Sequence, residues 1–141
     1  MIFTDNDKNE IMPIIKVLEQ NAEKLGAESL ARMFALYPGS KVYFHFEDFS
    51  AAGPKVKKHG AKVIGAITKA AHHLDDLHGH LEGLAETHGK VLLVDPQNFP
   101  KLCQCIEVTL ASHLTEFLPS THCSIDKLLT VICQILSSRY R

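Results

Sequence analysis

Long apolar runs are missing from this chain. No stretch of about 18 apolar residues occurs, so no segment reads as a membrane-spanning helix. Charge of one sign is missing too. Lys plus Arg is 15, Asp plus Glu is 16 and the net charge is −1. No block of like charge offers a footprint for nucleic acid or for an anionic membrane. The opening residues, MIFTDNDKNEI, carry acids where a signal peptide has positive charge and then an apolar run. The expectation is a soluble, intracellular chain. Cysteine is sparse: Cys103, Cys105, Cys123 and Cys133. All four lie in helical patterns, and Cys103 and Cys105 are two apart, so they do not face each other on a helix. Free thiols in a reducing compartment are expected rather than a disulfide framework. Repeats, low-complexity tracts and linkers are absent. Strand-like alternation is nearly absent. No Ser-His-Asp, Cys-His or paired-carboxylate arrangement is visible, so an enzyme is not expected.

What is present is helical period. A chain of 141 residues can bury roughly 68–70% of the surface it exposes when unfolded, enough for a core without staples. It reads as one domain over residues 1–141. Thr4 is placed to cap a first helix running to about residue 19, with acids in its opening turn. Pro13 removes a backbone donor inside that helix and invites a kink or an early boundary. A second helix covers roughly 21–36 and stops at Pro38-Gly39. Residues 44–52 form an aromatic-rich connector. Pro54 opens a long helix whose Val56, His59, Val63, Ala66, Ile67, Ala70 and Leu74 share one face, with lysines behind.

The stretch DDLHGH reads as a loop before a short helix over 81–89, and Gly89 is a natural stop. Phe99, Leu102, Cys103, Ile106, Leu110 and His113 line one face of a helix from about 96 to 113. The opposite side, with Cys105 and Val108, is also apolar, so this helix is expected to be covered twice. Pro119 opens a last helix with a stripe of Ile125, Leu128, Leu129, Ile132 and Leu136. The fold class is all-α, six to seven helices crossing obliquely rather than as a parallel bundle.

Nine histidines are present. His72, His73, His78 and His80 cluster between helices, on the lysine side or in the loop, and no further ligand completes a metal site there. His59 and His88 differ because each lies in an apolar stripe, on successive helices whose apolar faces can confront each other. Either ring alone reads as a core histidine satisfied by a carbonyl. The pair instead suits a greasy slot holding a metal in a flat apolar macrocycle. Periodicity does not name that ligand.

Four segments carry a family resemblance that spans essentially the whole chain. VKKHG with Val63 four residues past its histidine, THGKVLLVDPQNF, RMFALYPGSKVYF and the ending SSRYR appear in order and at matching spacing. Together they resemble the α chains of vertebrate haemoglobins, in the globin family. The resemblance implies reversible dioxygen binding by a ferrous haem b in an α2β2 tetramer with β-type chains, in the cytoplasm of the red blood cell. It implies His88 as the proximal iron ligand, its Nδ1 directed at the Leu84 carbonyl, and His59 as the distal donor to dioxygen. Met33, Tyr43, Phe44, Val63, Leu84, Leu92, Val94, Asn98, Phe99, Leu102 and Leu136 would wall the ring, and Lys62 could meet a propionate.

By the same resemblance Arg32, Phe117, His122 and Asp126 belong to the tight αβ contact, and Tyr43, Asp95 and Asn98 to the contact that slides. Tyr140 would hydrogen-bond the Val94 carbonyl, and Arg141 would meet Asp126 and Lys127 of the other α chain. The chain departs from the family pattern at Phe46, where a propionate-facing histidine is common, with His45 one residue earlier. It departs again at Gly39, Val42 and His45, which replace the usual threonines and proline of the sliding contact. The alternative reading is a six-coordinate haem globin, acting as a sensor, electron carrier or nitric-oxide-consuming enzyme, with both His59 and His88 on iron.

Overall fold

The computed structural model describes residues 2–88 and 96–138. Within them lie six α-helices and two 3-10 segments: α1 (Asp5–Gln20), α2 (Ala22–Leu36), a 3-10 segment (Pro38–Tyr43), α3 (Pro54–Ala71), a 3-10 turn (Leu74–Asp76), α4 (Leu77–Glu86), α5 (Asn98–His113) and α6 (Pro119–Ser137). None of the described helices is long and apolar enough to cross a membrane.

Thr4 caps α1 reciprocally with Asp7. The Asp7 N–H donates to Thr4 Oγ1 at 3.0 Å and the Thr4 N–H donates to Asp7 Oδ2 at 3.0 Å, which satisfies two of the donors every helix start leaves open. Asp7 also ties α1 to α6, accepting from Lys127 Nζ at 2.6 Å and from Ser124 Oγ at 3.1 Å. The Lys127 ammonium first, then the Thr4 N–H, hold the Asp7 carboxyl far below the usual carboxylate range. Helix α1 runs through Pro13 to Gln20, so the early boundary that Pro13 invites does not occur.

Two expectations need correction. The short helix starts at Leu77, four residues before its expected beginning, because Asp76 caps it: Asp76 Oδ1 accepts from the Gly79 N–H at 3.2 Å. His78 and His80 therefore lie on α4 and not in a loop. The second correction concerns α3. Its buried residues are Val56, Gly60, Ile64, Ile67, Thr68, Ala70 and Ala71, whereas His59, Val63, Ala66 and Leu74 are only half-buried. The core face keeps Val56, Ile67 and Ala70 of the expected stripe but is turned by about 65° toward Gly60, Ile64, Thr68 and Ala71. Gly26 and Gly60 explain the rotation. A Cβ on Gly60 would stand 2.5 Å from Ala27 N and Gly26 C, so the backbones of α2 and α3 touch there. The Gly60 face is drawn onto α2, and the His59 flank is left looking into a separate space.

The core is correspondingly divided. A larger cluster gathers Ile11, Ile15, Ile64, Leu81, Ile106, Leu110, Leu128 and Ile132 among others from α1, α3, α4, α5 and α6. A smaller one holds Ala27, Leu30, Met33, Phe34, Val56 and Cys105 under the aromatic connector. The double cover expected for α5 is met by Cys105, which is buried in the smaller cluster, but Val108 remains exposed. His113 is exposed as well, donating from Nε2 to Glu28 Oε1 at 2.8 Å. The α6 stripe is buried as its spacing requires, with only Leu136 half-exposed.

Candidate functional site

His88 stands just beyond Glu86, where α4 widens into a π turn at residues 87–88. Its Nδ1 lies 2.9 Å from the Leu84 carbonyl oxygen. A carbonyl can only accept, so the proton sits on Nδ1 and Nε2 presents a lone pair. This is the tautomer a metal-ligating imidazole needs, fixed by a backbone group of the same helix. The Phe99 ring, at the start of α5, meets the His88 ring edge-on at 5.6 Å.

His59 projects from the half-buried flank of α3. Its ring contacts Phe44 at 5.1 Å and Phe46 at 6.3 Å, both edge-on. Phe44, Phe46 and Phe49 in turn surround Phe34 at 5.2, 6.2 and 5.0 Å. Burial first, then the charge of Lys62, then that of His88, holds His59 below the usual histidine range. Its neutral form, with one N–H donor and one acceptor, is thereby favoured over the charged one.

The elements that carry these two rings, with α5 and α6, also bear large apolar side chains that the chain covers only in part. Val63, Leu84, Leu102 and Leu136 are half-buried against the larger cluster, and Phe44 and Leu102 against the smaller. Leu102 belongs to both. Met33 is fully buried in the smaller cluster. A flat apolar group carrying a metal fits this donor set: one imidazole with a fixed lone pair, one imidazole held toward its neutral form, and partly covered aliphatic and aromatic side chains. Lys62 is exposed at the edge, as is Tyr43, and Asn98 opens α5 beside Phe99. Phe46 turns inward onto the aromatic group, while His45 is exposed. Phe34 and Phe49, which stand behind the aromatic rings that meet His59, are singled out by no periodicity; Phe49 lies in the aromatic run FHFEDF and Phe34 in RMFALYPGSKVYF.

The other expected positions divide in space. Arg32, Phe117 and His122 line one open groove of about 960 Å³ between α2, α5 and the start of α6. Arg32 Nη1 is held there by Glu28 Oε2 at 3.2 Å and Thr109 Oγ1 at 2.5 Å. Asp126 lies instead on a neighbouring cleft shared with Glu107. Lys127 is engaged within its own chain by Asp7, and Nζ also lies 5.4 Å from the centre of the Phe3 ring. Leu92, Val94, Asp95, Tyr140 and Arg141 lie outside the described residues.

Sequence reading missed Glu107 altogether. Its Oε1 is buried with no hydrogen-bond partner, and His122 Nε2 is 3.8 Å away. Burial and then the neighbouring Asp126 carboxylate push the Glu107 carboxyl up to about 8. The folded chain keeps this proton at a pH where the unfolded chain has released it. This group's contribution is therefore complete only in acid and declines as pH rises from about 4 toward 8. Glu107→Gln is expected to be more stable than the parent at the alkaline end and to lose stability less steeply over that range, as read by urea unfolding across pH.

The histidine cluster near the α3–α4 junction is explained without a metal. His72 Nε2 is 3.0 Å from Glu19 Oε1. His73 and His80 stack with centroids 4.3 Å apart and planes 15° from parallel, which does not converge their nitrogens on one point. Among the described residues, no group of three or more metal-ligating side chains occurs.

Comparisons with known proteins match this geometry. The globin family model matches residues 27–136. Haemoglobin subunit alpha of Mustelus griseus is 64% identical over 141 residues, covering 100% of both chains. That of Heterodontus portusjacksoni is 57% identical over 140 residues, covering 99% of this chain and 95% of its own. The deoxy-form haemoglobin structure from Mustelus griseus superposes with a TM-score of 0.97, at 64% identity and 99% of each chain. Haemoglobin of the shortfin mako, Isurus oxyrinchus, gives 0.96 at 58% identity and 99% of each chain. With a family model over most of its length and full-length relatives at this identity, the chain belongs to the globin family.

Proposed function

We propose that this chain carries dioxygen reversibly on a ferrous haem, as the α subunit of an α2β2 haemoglobin, folded as one globin domain over residues 1–141. The observation that carries the reading is the pair of unlike imidazoles. His88 has its Nδ1 committed to Leu84 and its Nε2 lone pair free for iron. His59 is held toward its neutral form and walled by Phe44 and Phe46. The haem supplies the iron at which dioxygen binds. His88 holds that iron, and its fixed ring orientation comes from the Leu84 carbonyl. His59 would offer an N–H to dioxygen as a hydrogen-bond donor. Val63 would limit the space beside it, and the exposed Lys62 and Tyr43, with Asn98 at the start of α5, would meet the polar rim of the haem.

The apolar side chains Met33, Phe44, Leu84, Phe99, Leu102 and Leu136 exclude water and anions that would assist iron oxidation, with Leu92 and Val94 completing the set. Arg32, Phe117 and His122 meet the β-type partner across their shared groove, with Asp126 beside it, and Tyr43, Asp95 and Asn98 meet the other β-type chain. Tyr140 and Arg141 act in the quaternary switch, and the site of action is the red cell cytoplasm.

The test is an oxygen equilibrium and dissociation measurement on the haem-loaded tetramer, parent against His59→Leu. A hydrogen bond to a charge-bearing acceptor contributes roughly 1.5–3 kcal/mol. Its loss is expected to weaken dioxygen binding about ten- to a hundredfold, seen as faster dissociation. Unchanged dissociation in the variant, with haem retained, would remove His59 from the role given to it.

A further inference from the structure

The two thiols that meet in this chain are thirty residues apart in sequence. Cys103, in the second turn of α5, and Cys133, in the last turns of α6, bring their sulfurs to 2.9 Å. The Cys103 S–H also points at the Leu129 carbonyl, 3.9 Å away. The contact is consistent if the Cys133 S–H donates to Cys103 Sγ and the Cys103 S–H donates onward to Leu129. All four cysteines are free thiols. Cys105 is buried in the smaller core and Cys123 is exposed on α6. Both sulfur-bearing residues of the pair line an open cleft of about 500 Å³ between α5 and α6, together with Gln104, Glu107, Asp126 and Gln134. Cys103 is half-buried and Cys133 buried, so a reagent entering this cleft meets Cys103 first.

We propose that Cys103 and Cys133 are a reversible redox-modification site, closing an intrachain disulfide that joins α5 to α6 at the expense of a low-molecular-weight disulfide such as oxidised glutathione. One thiol of the pair loses its proton and its sulfur attacks the reagent; the reagent's S–S bond breaks and one reduced glutathione departs with that proton. The second thiol then loses its proton and displaces the attached glutathionyl sulfur, releasing a second reduced glutathione. Two protein thiols are oxidised to one disulfide, and one glutathione disulfide is reduced to two thiols.

The two steps differ in speed for reasons visible in the site. The hydrogen bond with Cys133, then burial, then the Glu107 and Asp126 charges, raise the Cys103 thiol above the usual range. Thiolate is scarce, so the first step is slow. The second step is intramolecular between sulfurs already in contact, and is fast. A glutathione adduct on Cys103 therefore does not accumulate in the parent chain, and the bridge forms without recruiting a second molecule. The exposed Cys123 has no such neighbour, and its adduct persists.

The test uses the full-length chain, haem-loaded and held in the carbon-monoxide form so that iron takes no part. It is equilibrated with mixtures of reduced and oxidised glutathione, acid-quenched, alkylated and mapped by fragmentation mass spectrometry. The expected result is a Cys103–Cys133 linked peptide lighter by two hydrogens, reversed by excess reduced glutathione, with Cys105 alkylated. In Cys133→Ser the link is expected to vanish and a glutathione adduct to appear on Cys103, while Cys123→Ser leaves the link unchanged. Alkylated Cys103 and Cys133 in a large excess of oxidised glutathione would overturn the proposal. So would a persistent adduct on Cys103 in the parent, or links between other cysteines.

Discussion

Replacing His88 by glycine is expected to release the haem from this chain during gel filtration, and added imidazole is expected to hold it there again. The expectation follows from the fixed His88 imidazole at the end of α4. Nε2 is the ring's lone-pair position because Nδ1 is committed to Leu84. Loss of an outer-shell partner alone costs a metal site about 10–100-fold in affinity, so loss of the ligand itself costs more. The apolar walls remain in the variant, and free imidazole fits the space the ring vacates. Absorbance of the haem band in the protein fraction, with and without imidazole, reads the outcome. Haem retained by His88→Gly without imidazole would place the iron ligand elsewhere.

The second large effect is structural and sits next to the distal ring. Gly60→Ala places a methyl group 2.5 Å from Ala27 N and Gly26 C. These are backbone atoms that yield only if α2 and α3 separate. Overpacking of this kind costs about 1–3 kcal/mol and sometimes more, against a gain of about 1 kcal/mol in helix propensity. A net loss of about 1 kcal/mol is expected, which lowers the melting temperature by roughly 2–4 °C for a chain of this length. His59 is the preceding residue, so dioxygen dissociation is expected to change in the same variant. Gly65→Ala is the internal control. On the same helix, its Cβ would meet nothing within 4 Å, and the substitution is expected to stabilise by about 0.5–1 kcal/mol. Equal effects of the two substitutions would dismiss the close crossing of α2 and α3.

The parts of this molecule that sequence displays are those decided locally. Thr4 as a cap, Pro54 and Pro119 as helix openers, and the stop at Pro38-Gly39 are each fixed by one or two residues and their backbone chemistry. The α6 stripe is equally plain because one face meets one core. The parts that were not legible depend on a neighbour. The rotation of α3 arises from contact between two glycines, and hydropathy gives glycine little weight. The start of α4 was hidden because Asp76, His78, Gly79 and His80 read as loop residues, and only the Asp76–Gly79 hydrogen bond turns them into a capped helix. Glu107 lies in the apolar run CQCIEVTL, and nothing local says that its carboxyl faces Asp126. The Cys103–Cys133 contact is purely tertiary, between α5 and α6, and spacing within either helix does not pair the two.

His59 and His88 were visible as a pair because both interrupt apolar stripes. Their inequality was not visible. It comes from the Leu84 carbonyl on one side and the aromatic connector on the other. That inequality separates an oxygen carrier from a globin in which two histidines occupy the iron.

The whole account depends on one ring binding iron while the other stays off it, reserved for dioxygen. The visible absorption spectrum of the reduced, gas-free, haem-loaded protein tests this most directly. A broad high-spin band that converts to the oxygenated spectrum on admitting air, and returns when the gas is removed, is the result predicted. A sharp, two-banded low-spin spectrum before any gas is present would mean that both imidazoles are bound, and would contradict it.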